Sequence, residues 1–392
     1  MIIRRITLKI REISLTNFSL MHLCYKKRRL QKSHTLFISI FSVTRPAFAW
    51  VELYMIEISK DALVYLVCPP AYASGGPELI YQLASKLADH GVETYLYYHP
   101  KHKDPVHPNY VGYGTRSADF IEDDKRNLLI VPEALVPSFN EAETFNHIRK
   151  CIWWLSVDNF FADLYRRARA RRIARIPLIR ALRIYEKRYF AEQVRTPHYE
   201  YHLAQSQYAM ALLKAENIDG SYLSDFLGPH FFERARELQA IKKQDIVLYN
   251  PAKGGRFTAK IMEAAADLTW MPIQNMTPAE VADLLARAKV YIDFGHHPGK
   301  DRFPREAALL NCCIITGKRG SAAYDEDVNI PGKYKINDSK FNIARITRLI
   351  RSCIQDYDRH TKDFDHYRDL IRKEEQQFIK DMKTVFLKTE NK

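Results

Sequence analysis

IDFGHHPGKDRFPREAALLNCCIIT, residues 292–316, is the stretch from which the fold can be read. It continues an alternating apolar run, 288–294, that reads as a buried strand, and it closes on a second apolar run, 312–316, that reads as the next strand. Between them lie a loop with two histidines, a glycine and the cations Lys300, Arg302 and Arg305, and a short helix over about 304–310. Strand, loop, helix, strand is the repeating unit of a parallel sheet, and ligands of open α/β sheets bind at the carboxyl edge, where this loop lies. Cations at a helix N-terminus attract phosphate, because unpaired N–H groups and the macrodipole both favour an anion there. Glu306 sits on the first helical turn. It reads either as an ordinary N-terminal helix acid or as an acid holding hydroxyls beside a bound diphosphate.

The same plan recurs on the N-terminal side of this stretch. Residues 246–265 read as a strand to Tyr249, a loop NPAKGGR and a helix from about Thr258. Lys253 and Arg256, beside Gly254 and Gly255, put two cations and exposed backbone N–H groups at a helix start, without the spacing of a Walker A loop. A short strand over 271–273 leaves Gln274 and Asn275 at its end, where a nucleotide base can be read. Thr277 with Glu280 spells a capping box, and a helix leads back into the 288–294 strand.

Nearer the N-terminus, 62–70 reads as a buried strand, Gly75 and Gly76 as a tight turn into a helix, and 92–99 as the next strand. The turn lacks G-x-G-x-x-G, which argues against NAD. Strands over 127–133 and 150–158 end in Glu133 and Asp158, each a candidate base or hydroxyl-binding group at the same edge. Ser206 reads as the cap of the helix that follows a short strand at His202. The expected architecture is α/β with two Rossmann-like doubly wound domains, 55–224 and 225–344, a cleft between them and C-terminal helices over 345–392 that pack back across the junction. The histidines 296 and 297 would face opposite ways in a strand, and no Cys/His/Asp cluster stands out at ligand spacing, so no metal is expected. Asp325, Glu326 and Asp327 fit the letters D-x-D but read as a solvated loop.

The chain has 392 residues, 46% of them hydrophobic, and a formal charge of +14. That charge is local. Residues 1–54 and 163–189 each hold ten lysines and arginines against two acids, so the remaining body is near neutral, which argues against a general nucleic-acid binder. Residues 1–54 read as a disordered or mis-started leader, because the basic run begins too late for a signal peptide. In 163–189 arginines alternate with isoleucine and leucine. This stretch reads as a helix lying on an anionic membrane surface, as a solvated helix pair, or as a polyanion contact. Six cysteines without CxxC spacing point to a reducing, cytoplasmic setting, peripheral to the inner membrane face if the basic stretch docks there.

The order loop, E-A-x-x-x, small turn, apolar strand, then GKRGS (317–321) resembles the C-terminal half of GT-B glycosyltransferases. The nearest are the retaining family 4 type, whose segment reads roughly E-x-F-G-x-x-x-x-E-A-x-A-x-G-x-P-V-V. Glu306 and Ala307 match the second acid and its alanine, while Pro298 stands where the first acid falls and the family glycine is displaced to Gly299. The resemblance implies a nucleoside diphosphate-sugar as co-substrate, no bound cofactor, and a glycan or lipid-linked acceptor, as in surface polysaccharide synthesis. It implies that Arg256 and Lys253 contact the donor diphosphate, with Lys300 stabilising it as it leaves, while Gly254, His297, Gly299, Arg302 and Arg305 are read from the loops themselves as further donor-binding candidates. Gly75 and Gly76 map onto the loop facing acceptor and donor phosphates, and Glu306 onto the acid holding ribose or sugar hydroxyls. An epimerase acting on a nucleotide-sugar, or a binding protein on a transferase-like scaffold, would use the same half.

Overall fold

The computed structural model describes residues 55–170, 186–195 and 198–387. The leader 1–54 and most of the basic stretch, 171–185, lie outside the described residues, as do the side chains of 166–170. The described residues all belong to one compact unit. Among the described residues no helix is long and apolar enough to cross a membrane.

Among the described residues, eleven strands make two parallel sheets. The first holds β1 (Leu63–Cys68), β2 (Glu93–Tyr98), β3 (Arg116–Ser117), β4 (Leu128–Pro132), β5 (Arg149–Trp154), β6 (Tyr201–Ala204) and β7 (Ser221–Tyr222), in the order β3-β2-β1-β4-β5-β6-β7. The second holds β8 (Gln244–Tyr249), β9 (Thr269–Pro272), β10 (Ala288–Asp293) and β11 (Cys313–Thr316), in the order β11-β10-β8-β9. Strands such as β4, LLIVP, are buried along their whole length because helices cover both faces of a parallel sheet. Chain direction across each sheet reverses once, between β1 and β4 and between β8 and β10. The loops leaving β1, β8 and β10 therefore flank the crevices where such sheets bind ligands.

Helices follow their local signals. Helix α1 (Gly75–Asp89) starts on the glycine pair, and α2 (Val157–Ala170) follows β5. Helix α3 (Gln207–Ala215) is capped by Ser206, whose hydroxyl accepts from the Ala209 N–H at 3.1 Å. After α4 (Pro229–Arg236) comes α5 (Gly255–Glu263), entered through Gly254 at φ +65°. Helix α6 (Pro278–Arg287) carries the complete Thr277–Glu280 capping box. Helix α7 (Arg302–Leu309) is followed by α8 (Ile343–Gln355), α9 (Tyr357–Lys362), α10 (Asp365–Arg372) and α11 (Glu374–Phe386).

Three expectations are corrected. The strand read over 150–158 ends at Trp154, and Asp158 lies on the first turn of α2, because the chain turns at Leu155 to meet the second sheet. Helix α7 begins at Arg302, two residues early, since Pro304 lacks an N–H and fits a first turn, where that donor would have no partner in any case. This start moves Glu306 off the expected first turn. Asp327 is fully buried rather than solvated, accepting the N–H groups of Gln207 and Tyr208 at 2.7 and 3.1 Å at the start of α3.

Each sheet has its own apolar core. Val247, Ile292 and Ile314 pack with Ile350, Phe364 and Ile371 around the second. Around the first, Leu66, Leu83 and Ile130 pack with Phe378, Met382, Val385 and Phe386 of α11. The last helix thus packs its apolar residues into the core of the first sheet.

Candidate functional site

The loops leaving β8 and β10 interlock through glycine. A β-carbon on Gly254 would lie 2.6 Å from the Phe294 carbonyl, and one on Gly295 would lie 2.4 Å from Cβ of Lys253. Asp293, at the end of β10, accepts from the Tyr291 hydroxyl and the Gly295 N–H, each at 2.8 Å. Burial alone would raise its pKa, but His297 and Lys253 outweigh that and hold it at about 2. His297 Nε2 lies 3.5 Å from Asp293, its Nδ1 3.0 Å from Asp301, and Lys253 Nζ 2.7 Å from Asp301. Asp293, His297 and Asp301 bring one ligand atom each within 4.8 Å of one another, enough to hold a cation. The sequence reading found no such cluster, although the spacing of four and four was there to see. Arg256 is exposed on the first turn of α5, and Gln274 and Asn275 are exposed beyond β9.

The helix N-termini of the two sheets meet at Arg302. Its guanidinium pairs with Glu78 of α1 and stands 3.6 Å from Glu306. The Tyr113 hydroxyl donates to Glu78 at 3.0 Å. A β-carbon on Gly75 would lie 3.2 Å from Cδ of Arg302, so the glycine turn lets this side chain reach across, while Gly76 is open. Glu306 is buried, which pushes its pKa up to about 7 against the pull of Arg302 and Arg305.

Lys300 and Arg305 find their partners inside the protein. Lys300 Nζ lies 2.9 Å from both Glu374 and the Ser224 hydroxyl, and its N–H donates to Gln205 at 3.0 Å. Arg305 is wholly buried, 2.6 Å from Asp225 and 2.9 Å from Glu374. Gly299 is pressed onto the end of β5, where the Val157 N–H donates to the Pro298 carbonyl at 2.8 Å. Beside it His296 pairs with Asp158 at 2.6 Å, and the Tyr208 hydroxyl donates to the same carboxylate at 3.0 Å. Glu133 is buried beneath, accepting the Leu155 N–H at 2.7 Å, and burial raises its pKa to about 8 despite backbone donors.

Lys253, Gly254, His297, Gly299, Lys300, Arg302, Arg305 and Glu306 thus gather along one seam with Gly75 and Asp158. Glu133 lies beneath the seam, buried. Glu78, Asp225, Asp301 and Glu374 are the members that sequence reasoning missed. A separate cavity of about 310 Å³, lined by Tyr199, Tyr201 and Asn217, lies at the opposite, amino-terminal edge of the first sheet, away from these groups.

No family model and no curated protein matches the chain. Solved structures do. Sucrose-phosphate synthase from Thermosynechococcus elongatus aligns with a TM-score of 0.56 at 12% identity, covering 82% of this chain and 97% of that one. HepE of Anabaena, in complex with UDP-glucose, aligns with a TM-score of 0.53 at 9% identity, covering 81% of this chain and 98% of that one. Identity this low speaks for the fold and leaves the activity to the site. Two parallel sheets joined at their carboxyl edges, matching these structures over nearly their whole length, give the chain the GT-B glycosyltransferase fold.

Proposed function

We propose that the chain is a glycosyltransferase that moves a sugar from a nucleoside diphosphate-sugar to an acceptor hydroxyl. The observation that carries the reading is the pairing of Lys253 with Arg256 at the switch point of the second sheet, on a glycine-bounded loop entering a helix N-terminus. The UDP-glucose bound to HepE supports the same ligand class. As the bond from the anomeric carbon to the diphosphate breaks, negative charge builds on the leaving oxygen, and fixed cations stabilise it. Lys253 and Arg256 take that role, while Arg302 is already paired with Glu78 across the seam. Glu306 takes ribose or sugar hydroxyls, Gln274 and Asn275 face the base, and the Gly75–Gly76 turn lines the phosphates. Asp158 with His296 addresses the acceptor from the first sheet. Lys300 and Arg305, already paired with carboxylates, hold the loop in place, and Glu133 braces the end of β5. The acceptor in this proposal is a glycan or a lipid-linked sugar, with the basic stretch 163–189 at an anionic membrane surface. Failure to pellet with anionic liposomes at low salt would remove that last element alone.

A thermal-shift panel of UDP, GDP, ADP, CMP and NAD, with EDTA or Mn²⁺ present, tests the reading on wild type, Arg256→Ala and Glu306→Ala. A ligand at a hundred times its dissociation constant stabilises by about 2.7 kcal/mol. One diphosphate that stabilises wild type and neither variant, and a metal dependence or none, would define the donor class. No response to any nucleotide sinks the proposal. Pro298 in place of an acid favours a second reading, a binding protein that holds the nucleotide-sugar without turning it over. Binding with no release of UDP from UDP-glucose, or of the matching diphosphate from another donor sugar, would select it.

A further inference from the structure

Between β10 and α7 the chain places an acid, a histidine and an acid four residues apart, and the row ends on a lysine of the neighbouring loop. Exposure rises along it. The side chains of Asp293, His297, Asp301 and Lys253 are 1%, 0%, 15% and 30% exposed, so the row runs from the interior to the edge of the cleft. Its successive separations are 3.5, 3.0 and 2.7 Å, with the two carboxylates alternating with a histidine and a lysine. The backbone on both sides has no slack, since Gly295 leaves no space for a β-carbon against Lys253 and Gly254 none against Phe294.

We propose that His297 and Asp301 are positioning residues for Lys253. Asp293 anchors His297, His297 anchors Asp301, and Asp301 presents the lysine ammonium to the β-phosphate of a nucleoside diphosphate. The phosphate half of this inference rests on the donor class proposed above, whereas the holding of the lysine does not. Two physical needs are met at once. A lysine on a four-carbon stem loses rotamer freedom when it binds, and one already held has little left to lose. A carboxylate close to a phosphate site would repel the ligand, and the Lys253 ammonium 2.7 Å from Asp301 offsets that repulsion.

Two measurements on the full-length protein decide the matter. In the first, without ligand, Lys253 is acetylated with an N-hydroxysuccinimide ester and followed by peptide mass spectrometry. An ammonium held against a carboxylate reacts slowly, so Asp301→Asn speeds Lys253 about tenfold relative to other lysines, and Asp301→Glu stays near wild type. In the second, UDP and UMP are titrated calorimetrically. His297→Gln weakens UDP about tenfold and UMP less than twofold, because the β-phosphate alone meets Lys253. Unchanged melting curves would show that both variants are folded. Equal acetylation in wild type and Asp301→Asn overturns the proposal, as does UDP affinity unaltered in His297→Gln. Stabilisation of wild type by Mn²⁺ or Zn²⁺ that is lost in His297→Gln also overturns it, making the three residues a cation site. If wild type binds no diphosphate at all, the transferase reading falls, and the acetylation rates still decide whether Lys253 is held.

Discussion

A β-carbon at position 299 would lie 1.8 Å from the carbonyl oxygen of Leu155, closer than any real contact, so the seam tolerates glycine there and nothing larger. Gly299→Ala is expected to lower stability by about 3 kcal/mol, seen as a lower urea midpoint at unchanged slope, because either the loop or the end of β5 must move. The buried carboxyls make a second prediction at this scale. The folded protein raises Glu306 from 4.5 to about 7 and Glu133 from 4.5 to about 8. The native state therefore binds more protons than the unfolded chain between these limits. The contribution of each group to stability is full below about 4.5 and is lost as pH rises through 7 for Glu306 and 8 for Glu133. Glu306→Gln should flatten the fall in denaturation free energy between pH 5 and 8 by roughly 3 kcal/mol. A variant with the wild-type pH profile would show that Glu306 is ionised in the fold.

Among the elements, α11 joins the two halves most directly. Its first residue, Glu374, meets Lys300 and Arg305, and its last turns carry Phe378, Met382, Val385 and Phe386 under the first sheet. Glu374→Ala strips two buried cations of a partner and is expected to cost about 3–5 kcal/mol, while Glu374→Gln, which keeps a hydrogen-bonding group, costs less. Thermal melts of the two variants check the order. Elements of this kind mark the boundary of what can be read from sequence. Apolar runs revealed the long buried strands, and local caps at Ser206 and Thr277 gave helix starts, because both signals are written within a few residues. The two-residue strands β3 and β7 carry no such signal. The glycine-bounded cations at Lys253 and Arg256 were legible for the same local reason. The partners of Lys300, Arg302 and Arg305 were not. Glu78 stands 224 positions from Arg302, and what brings them together is the packing of one sheet edge on the other. A charge that looked free for phosphate was therefore already met by a distant carboxylate.

Over the whole molecule, the seam holds the carboxyl edges together with polar contacts from several elements. Glu78–Arg302, Asp158–His296, Asp225–Arg305 and the backbone contact at Pro298 all cross it. Domain closure about such a seam is a rigid-body movement, and ion pairs at its rim set its balance. The double variant Glu78→Gln, Asp158→Asn is expected to show a larger radius of gyration in solution scattering than wild type, with bound nucleotide narrowing the gap. Identical scattering curves would mean that Arg305 and the backbone contacts suffice to keep the seam shut. The crossing of α11 also bears on how the protein is made. The first sheet is translated early, yet the apolar residues that cover its underside are 378–386. Until the ribosome has passed them, the nascent chain carries a nearly finished sheet with a bare greasy face. Its biogenesis thus depends on whatever shields that face during synthesis, and a stalled or truncated message would release a species prone to aggregate.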